Sequence, residues 1–215
     1  MAQRQLRTVL AEFLRSLQEC RRLAADAHLW SLPGAHGTRP YISRKRRDYM
    51  TEMAFLSAFQ AWEILVEESF ILYLWGQKPP RGRAPNRYAF PPDQKTAMAW
   101  LIPEGRDYAQ WTDAQHVRER AERFFKAGRP FAPVLRGNQS VLDEVRLIRN
   151  AIAHKSVSAR EKFEKIVRDR LGTLPPNLTV GGFLGTTAPG STPPVSFLEF
   201  YVAKIDLAAQ QIIST

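Results

Sequence analysis

Apolar residues return every three or four positions in five stretches of this chain, which is the spacing of helices with one buried face. From about Gln3 to His28 the repeat runs Leu6, Val9, Leu10, Phe13, Leu17 and Leu23, with Arg4, Arg7, Arg15, Arg21 and Arg22 on the other faces. Leu32-Pro33-Gly34 should end this helix and open a loop. The next helix is expected from Ser43, a good N-cap, to about Trp75, stopping at Gly76 ahead of Pro79-Pro80. Phe55, Phe59, Trp62, Val66, Phe70 and Tyr73 mark one face, and Leu56, Ile64, Leu65, Ile71 and Leu72 make most of the rest apolar. A helix greasy on most sides is buried by neighbours or by a second subunit. Its exception is the line Gln60, Glu63 and Glu67, three and four apart and so on one face.

Three further helices follow an interruption. Ser140, with Asp143 and Glu144, reads as a capping box and leads into the stripe Leu142, Val145, Ile148 and Ile152. Ser158 and Glu161 give a second such signature, ahead of Phe163, Ile166, Val167 and Leu171 and a stop at Gly172. After a Gly/Pro/Thr-rich loop to Pro194, the last helix, about Ser196 to Ile213, buries Leu198, Val202, Ile205, Ala209 and Ile212. Between Gly76 and Asn138 the pattern breaks. Gln77 to Asp93 is rich in proline and arginine and reads as irregular. A short cationic helix capped by Thr112 or Asp113 should reach about Ala127, before Gly128 and Pro130. No repeat and no strand alternation is present. The expected fold class is all-α: a bundle of about five main helices in one domain, residues 1–215, with a basic, Pro-rich insertion over roughly 77–138.

Composition narrows the partners. The chain has 215 residues and a net charge of +10, with 44% hydrophobic residues. That is enough apolar material for a core, and an excess of cations that suits a polyanion. Its single cysteine, Cys20, allows no internal disulfide. The N-terminal residues lack the apolar run of a signal peptide, and the greasiest stretch, Ala54 to Trp75, is broken by Glu63, Glu67 and Glu68. A soluble, cytoplasmic protein without membrane contact is expected. The densest cation run, Arg44-Lys45-Arg46-Arg47, opens a helix, where it opposes the dipole. Phosphate binding would explain that placement, and a solvated cluster would serve as well. Trp100 and Trp111 are expected in the core, and His28, His36 and His116 on the surface or in loops. No glycine-rich phosphate loop, HExxH pattern or serine-nucleophile elbow is found.

One segment carries candidate chemistry: Ile148-Arg149-Asn150-Ala151-Ile152-Ala153-His154-Lys155-Ser156. Histidine titrates near neutrality and can give or take a proton. Arginine stays charged and forks onto two phosphate oxygens. Asparagine can orient the nucleophile or the imidazole. His154 has a plainer reading as a helix-terminal residue on the dipole. Five residues of helix turn a side chain by about 140°, so Arg149 and His154 point apart while Asn150 and His154 nearly align.

The motif resembles that of the HEPN superfamily of ribonucleases and toxins, whose nuclease members carry Arg-x4–6-His near the end of a core helix, often with a polar residue after the arginine. The likeness is greatest to the RiboL-PSP-HEPN and MAE-type HEPN-like families, in which a Gly-x-Pro-Phe stretch precedes the motif, as Gly128-Arg129-Pro130-Phe131 does here. The resemblance implies a metal-independent endoribonuclease that needs no cofactor. Its homodimer would pool two Arg149, Asn150 and His154 sets at a seam and cut RNA through 2′-OH attack. It also implies a toxin–antitoxin or phage-defence setting and a possible cognate antitoxin. Glu63 or Glu67 would then steady Arg149 or Arg146, with Lys155 and Ser156 flanking the site and Arg44, Lys45, Arg46 and Arg47 contacting RNA. Some such toxins are silenced by modification of a tyrosine two residues after the histidine, where this chain has Ser156. The competing readings are a catalytically silent module that binds RNA or nucleotide, and an adaptor or regulatory partner.

Overall fold

The helical periodicity of the sequence is realised as an all-α fold. The computed structural model describes residues 4–34, 39–103, 105, 107–154 and 156–214. Among these the helices are α1 (Leu6–Trp30), α2 (Arg44–Trp75), α3 (Gln94–Leu101), α4 (Ala114–Phe124), α5 (Phe131–Gly137), α6 (Gln139–Ala153), α7 (Val157–Leu171), α8 (Val180–Leu184) and α9 (Phe197–Ser214). Among the described residues, extended pairing is limited to two isolated bridges, Arg87 with Phe125 and Thr187 with Ser196. No described helix is long and apolar enough to cross a membrane.

The ends of α2 show why its sequence stops and starts where it does. The Ser43 hydroxyl accepts the backbone N–H of Arg46 at 3.3 Å, so Ser43 is the N-cap. At the other end Gly76 takes φ +105°. Its N–H donates to the Tyr73 carbonyl and that of Gln77 to the Leu72 carbonyl, the paired bonds of a Schellman stop. Arg87 presses on the same spot and donates to the Leu74 carbonyl at 2.7 Å, leaving no room for a side chain at position 76.

By contacts the chain forms two compact units, each discontinuous in sequence: Met1–Leu14, Ala61–Asp143 and Lys204–Thr215 in one, Arg15–Gln60 and Glu144–Ala203 in the other. The core of the first gathers on Phe70, whose ring centroid lies 4.8 Å from Phe131, 5.0 Å from Phe125 and 5.4 Å from Trp111. All but Trp111 of these are fully buried, and Trp111 nearly so. The 77–138 stretch therefore supplies much of this core. Within it α3 and α5 form where no helix was expected. Asp93 caps α3 by accepting from Thr96 N–H, and Asp113 caps α4 by accepting from Gln115 N–H. Trp111 is buried as expected, whereas Trp100 is exposed. Tyr73, enclosed beside α9, donates to the Ile212 carbonyl at 2.8 Å. Gln77 closes the start of α1, accepting from Leu6 N–H and donating to the Arg4 carbonyl.

The second unit carries the Arg-Asn…His motif. Its aromatic core stacks Phe183 on Phe197 at 4.4 Å, with Phe163 and Tyr201 at their edges. Two capping expectations are corrected here. Ser140 lies inside α6, not before it, and Glu144 faces inward, where both its oxygens take Arg170 at 3.0 Å and one takes the Tyr201 hydroxyl at 2.6 Å. Likewise α7 begins at Val157, capped by Ser156, whose hydroxyl accepts Ala159 N–H. Inside the loop expected after Gly172, α8 forms because two α2 carboxylates seize it: Asp48 accepts from the Thr179 hydroxyl and Glu52 from Gly181 N–H. Gly181 lies so close to the Asp48 carbonyl that a Cβ there would overlap it.

Candidate functional site

The motif occupies the C-terminal turns of α6. Val145 and Ile148 anchor this helix in the core, which turns Arg149 and Asn150 to a half-buried flank. The Arg149 guanidinium donates to the Asn150 side-chain oxygen at 3.2 Å and lies 5.8 Å over the Phe59 ring of α2. A planar cation between an amide oxygen and an aromatic face keeps its charge while losing much of its freedom.

His154 is the first residue past α6. Its backbone N–H closes a last helical bond to the Asn150 carbonyl at 2.8 Å, while its side chain is exposed. With Ser156 already capping α7, the turn between the two helices is too short to let position 154 wander far. The imidazole borders a cavity of about 650 Å³ that Arg160, Phe163, Glu164, Asn177 and Leu178 also line. Glu164 accepts from Arg160 at 2.8 Å and from Arg168 at 3.3 Å. One cavity thus combines an imidazole, a guanidinium–carboxylate pair and apolar walls. Ala151 reaches it, and Arg149 and Asn150 do not. Arg149 and His154 thus open to different places, while Asn150, expected to align with His154, is joined instead to Arg149.

Arg146 is half-buried on α6, Ser156 serves as a helix cap, and Lys155 lies outside the described residues, as does His36. Glu63 and Glu67 lie on α2, in the unit that includes Ala61–Asp143. Glu67 sits by the indole N–H of Trp111, which is buried and closes no hydrogen bond of normal geometry, and near Arg120, whose guanidinium stacks 4.5 Å over that ring. Burial pushes the Glu67 carboxyl above the usual carboxylate range, with Glu68 adding to the rise against the pull of Trp111 and Arg120. An acid whose folded pKa is raised stabilises the fold below its unfolded pKa and loses that contribution as pH rises through the folded value. Glu67→Gln should therefore match the wild type in thermal unfolding at acid pH and surpass it near neutrality. A constant difference across pH would remove the burial argument.

Of the cation run, Arg47 pairs with the buried Asp48 at 2.7 Å, while Arg44, Lys45 and Arg46 are exposed in the first turn of α2. His28 and His116 are exposed as expected. Sequence reasoning passed over Arg160 and Glu164. Their spacing of four, with Arg168 four further on, was a visible sign of a charged stripe on α7, but nothing local tied that stripe to His154. No protein-family model, curated protein or solved structure matches this chain.

Proposed function

We propose that the chain is a metal-independent endoribonuclease of the HEPN kind, working as a homodimer and serving as a toxin in a toxin–antitoxin or phage-defence system. The observation that supports this reading most is the disposition of the motif: a pre-oriented Arg149–Asn150 pair on one flank and an exposed His154 at a cavity on another. Cleavage by 2′-OH attack needs a base to take the O2′ proton as the O2′–P bond forms. It also needs an acid to protonate O5′ as the P–O5′ bond breaks, and a cation on the non-bridging oxygens. One His154 fills one proton role. A second copy placed across a two-fold axis supplies the other, and its Arg149 faces the phosphate that the first copy's His154 serves. Asn150 then acts by holding the guanidinium fork.

The bonds broken determine the products. RNA incubated with purified protein in excess chelator should yield fragments ending in 2′,3′-cyclic phosphate and 5′-hydroxyl, and a 2′-deoxy substitution at the cleaved nucleotide should stop the reaction there. Loss of cutting in chelator, or 5′-phosphate ends, would overturn the mechanism. RNA binding without any cutting would favour the catalytically silent module.

A further inference from the structure

The segment that leads into α2 alternates cations with aromatic rings: Arg39, Tyr41, Arg44, Lys45, Arg46, Arg47 and Tyr49. Tyr41 is 91% exposed and Tyr49 59%, so both rings are open to solvent beside the cations. The segment is tied to the end of α1 by the Ile42 N–H, which donates to the Trp30 carbonyl at 3.2 Å. On the helix, Tyr49 shares a face with Lys45 and Arg46, four and three residues before it. Arg44, Arg47 and Thr51, at the same spacings, turn instead into a groove of about 880 Å³ that His28, Leu29 and Thr187 also border.

Charge along the start of α2 and in the adjoining groove is unevenly matched. Arg21 is held by Glu199 at 2.9 Å and Arg47 by Asp48 at 2.7 Å. Among the described residues, the side chains of Arg39, Arg44, Lys45 and Arg46 have no carboxylate partner. The first turn of α2 also contains no acid, so Arg44, Lys45 and Arg46 stand uncompensated at the positive end of the helix dipole. A polyanion would relieve that conflict. Flat, exposed rings between the cations suit bases rather than acidic side chains, since any base stacks on an aromatic face while its phosphates run along the charges. The hydroxyl-bearing wall of the groove suits phosphate and sugar better than a flat lipid surface.

We infer that the start of α2 and the adjoining groove form a binding track for single-stranded nucleic acid, with Arg44 on a phosphate and Tyr49 under a base, separate from the His154 cavity. This deepens the nuclease reading by specifying an unpaired substrate, and it rests on that reading only for its role in cleavage.

Binding of a labelled 2′-O-methyl RNA of about a dozen nucleotides, which cannot undergo 2′-OH attack, separates the two ideas. By fluorescence anisotropy, Tyr49→Ala should weaken binding about 5- to 100-fold, and Tyr49→Phe should restore it. Arg44→Gln should weaken it with a salt slope shallower by about one phosphate contact, and His116→Ala, an exposed site on α4, should bind as the wild type does. Single-stranded DNA of the same sequence should bind comparably, since stacking and phosphate contact ignore the 2′ position. A matching duplex, polyglutamate and phosphatidylserine vesicles should compete poorly. Unchanged binding by Tyr49→Ala, or equal competition by any of those three, would overturn the inference. If the wild type binds in this pattern but cuts no RNA, the track stands and the nuclease reading falls. If it cuts RNA while Tyr49→Ala and Arg44→Gln bind normally, the reverse holds.

Discussion

If the proposed function holds, His154→Ala should lower the rate of RNA cleavage by about 10²- to 10⁴-fold, the usual contribution of a positioned proton-transfer group, and should abolish any growth arrest caused by expressing the wild type. The imidazole is exposed and makes no hydrogen bond that holds helices together, so its removal should leave thermal unfolding nearly unchanged. That contrast separates chemistry from folding. Arg149→Ala should cost activity on a similar scale, about 10²- to 10³-fold for loss of one group that stabilises developing charge. Arg149→Lys should recover little, because an ammonium cannot both fork onto a phosphate and donate flat to Asn150 across the Phe59 ring. His116→Ala, on the exposed side of α4, is the matched control and should act as the wild type does. If acid and base come from two copies, an excess of His154→Ala protein should suppress wild-type activity by more than dilution, since each mixed dimer lacks one proton-transfer group. Equal growth and equal cleavage for wild type and His154→Ala, with both proteins confirmed as expressed, would leave the catalytic reading without support.

What the linear pattern revealed, and what it hid, follows the range of the forces involved. Local signals were readable: Ser43 before α2, Asp113 before α4, Gly76 and Gly172 at helix ends. Each acts through backbone within a few residues. The all-α class followed from long periodic stretches for the same reason. Near-miss signals also occurred. Ser140 and Ser158 both head a capping-box pattern, yet α6 already includes Ser140 and α7 is capped two residues earlier by Ser156. A cap is set by where the backbone leaves the extended region, and a repeated Ser-x-x-acid spelling does not say which serine that is. Short helices were hidden. The five residues of α8 include Gly181 and Gly182 and have no propensity to be helical; they are helical because Asp48 and Glu52, about 130 positions away, bind Thr179 and Gly181. The candidate site divides in the same way. The Arg-Asn…His spacing was legible, but the pairing of Arg149 with Asn150 was not, since helix geometry alone put Asn150 nearer the direction of His154. The cavity at His154 is walled by Arg160, Glu164 and residues 174–180, which only tertiary packing brings there.

Glu144→Ala should be the most damaging truncation of a polar side chain around the motif helix, lowering stability by about 2–4 kcal/mol. The carboxylate on α6 receives a two-pronged bond from Arg170 on α7 and the hydroxyl of Tyr201 on α9, so three helices meet on one side chain. Removal leaves the Tyr201 hydroxyl fully buried without its acceptor, because that residue has no exposed surface. The Arg170 charge is about a third exposed and can regain water, which keeps the loss below that of a fully enclosed ion pair. Burial, with the negative charge of Glu144 beside it, holds the Tyr201 phenol well above its ordinary pKa, so it remains a donor throughout the accessible pH range. Glu144→Gln keeps an acceptor for that phenol and should lose only part of the stability, while Tyr201→Phe with Glu144 intact should lose about 1 kcal/mol. If the two residues act as one clasp, Glu144→Ala with Tyr201→Phe should cost less than the sum of the separate changes. Denaturant unfolding of the four proteins measures each term. Strict additivity would mean that the short Glu144–Tyr201 bond contributes nothing of its own, and that α6 is held in place by its apolar stripe and Arg170 alone.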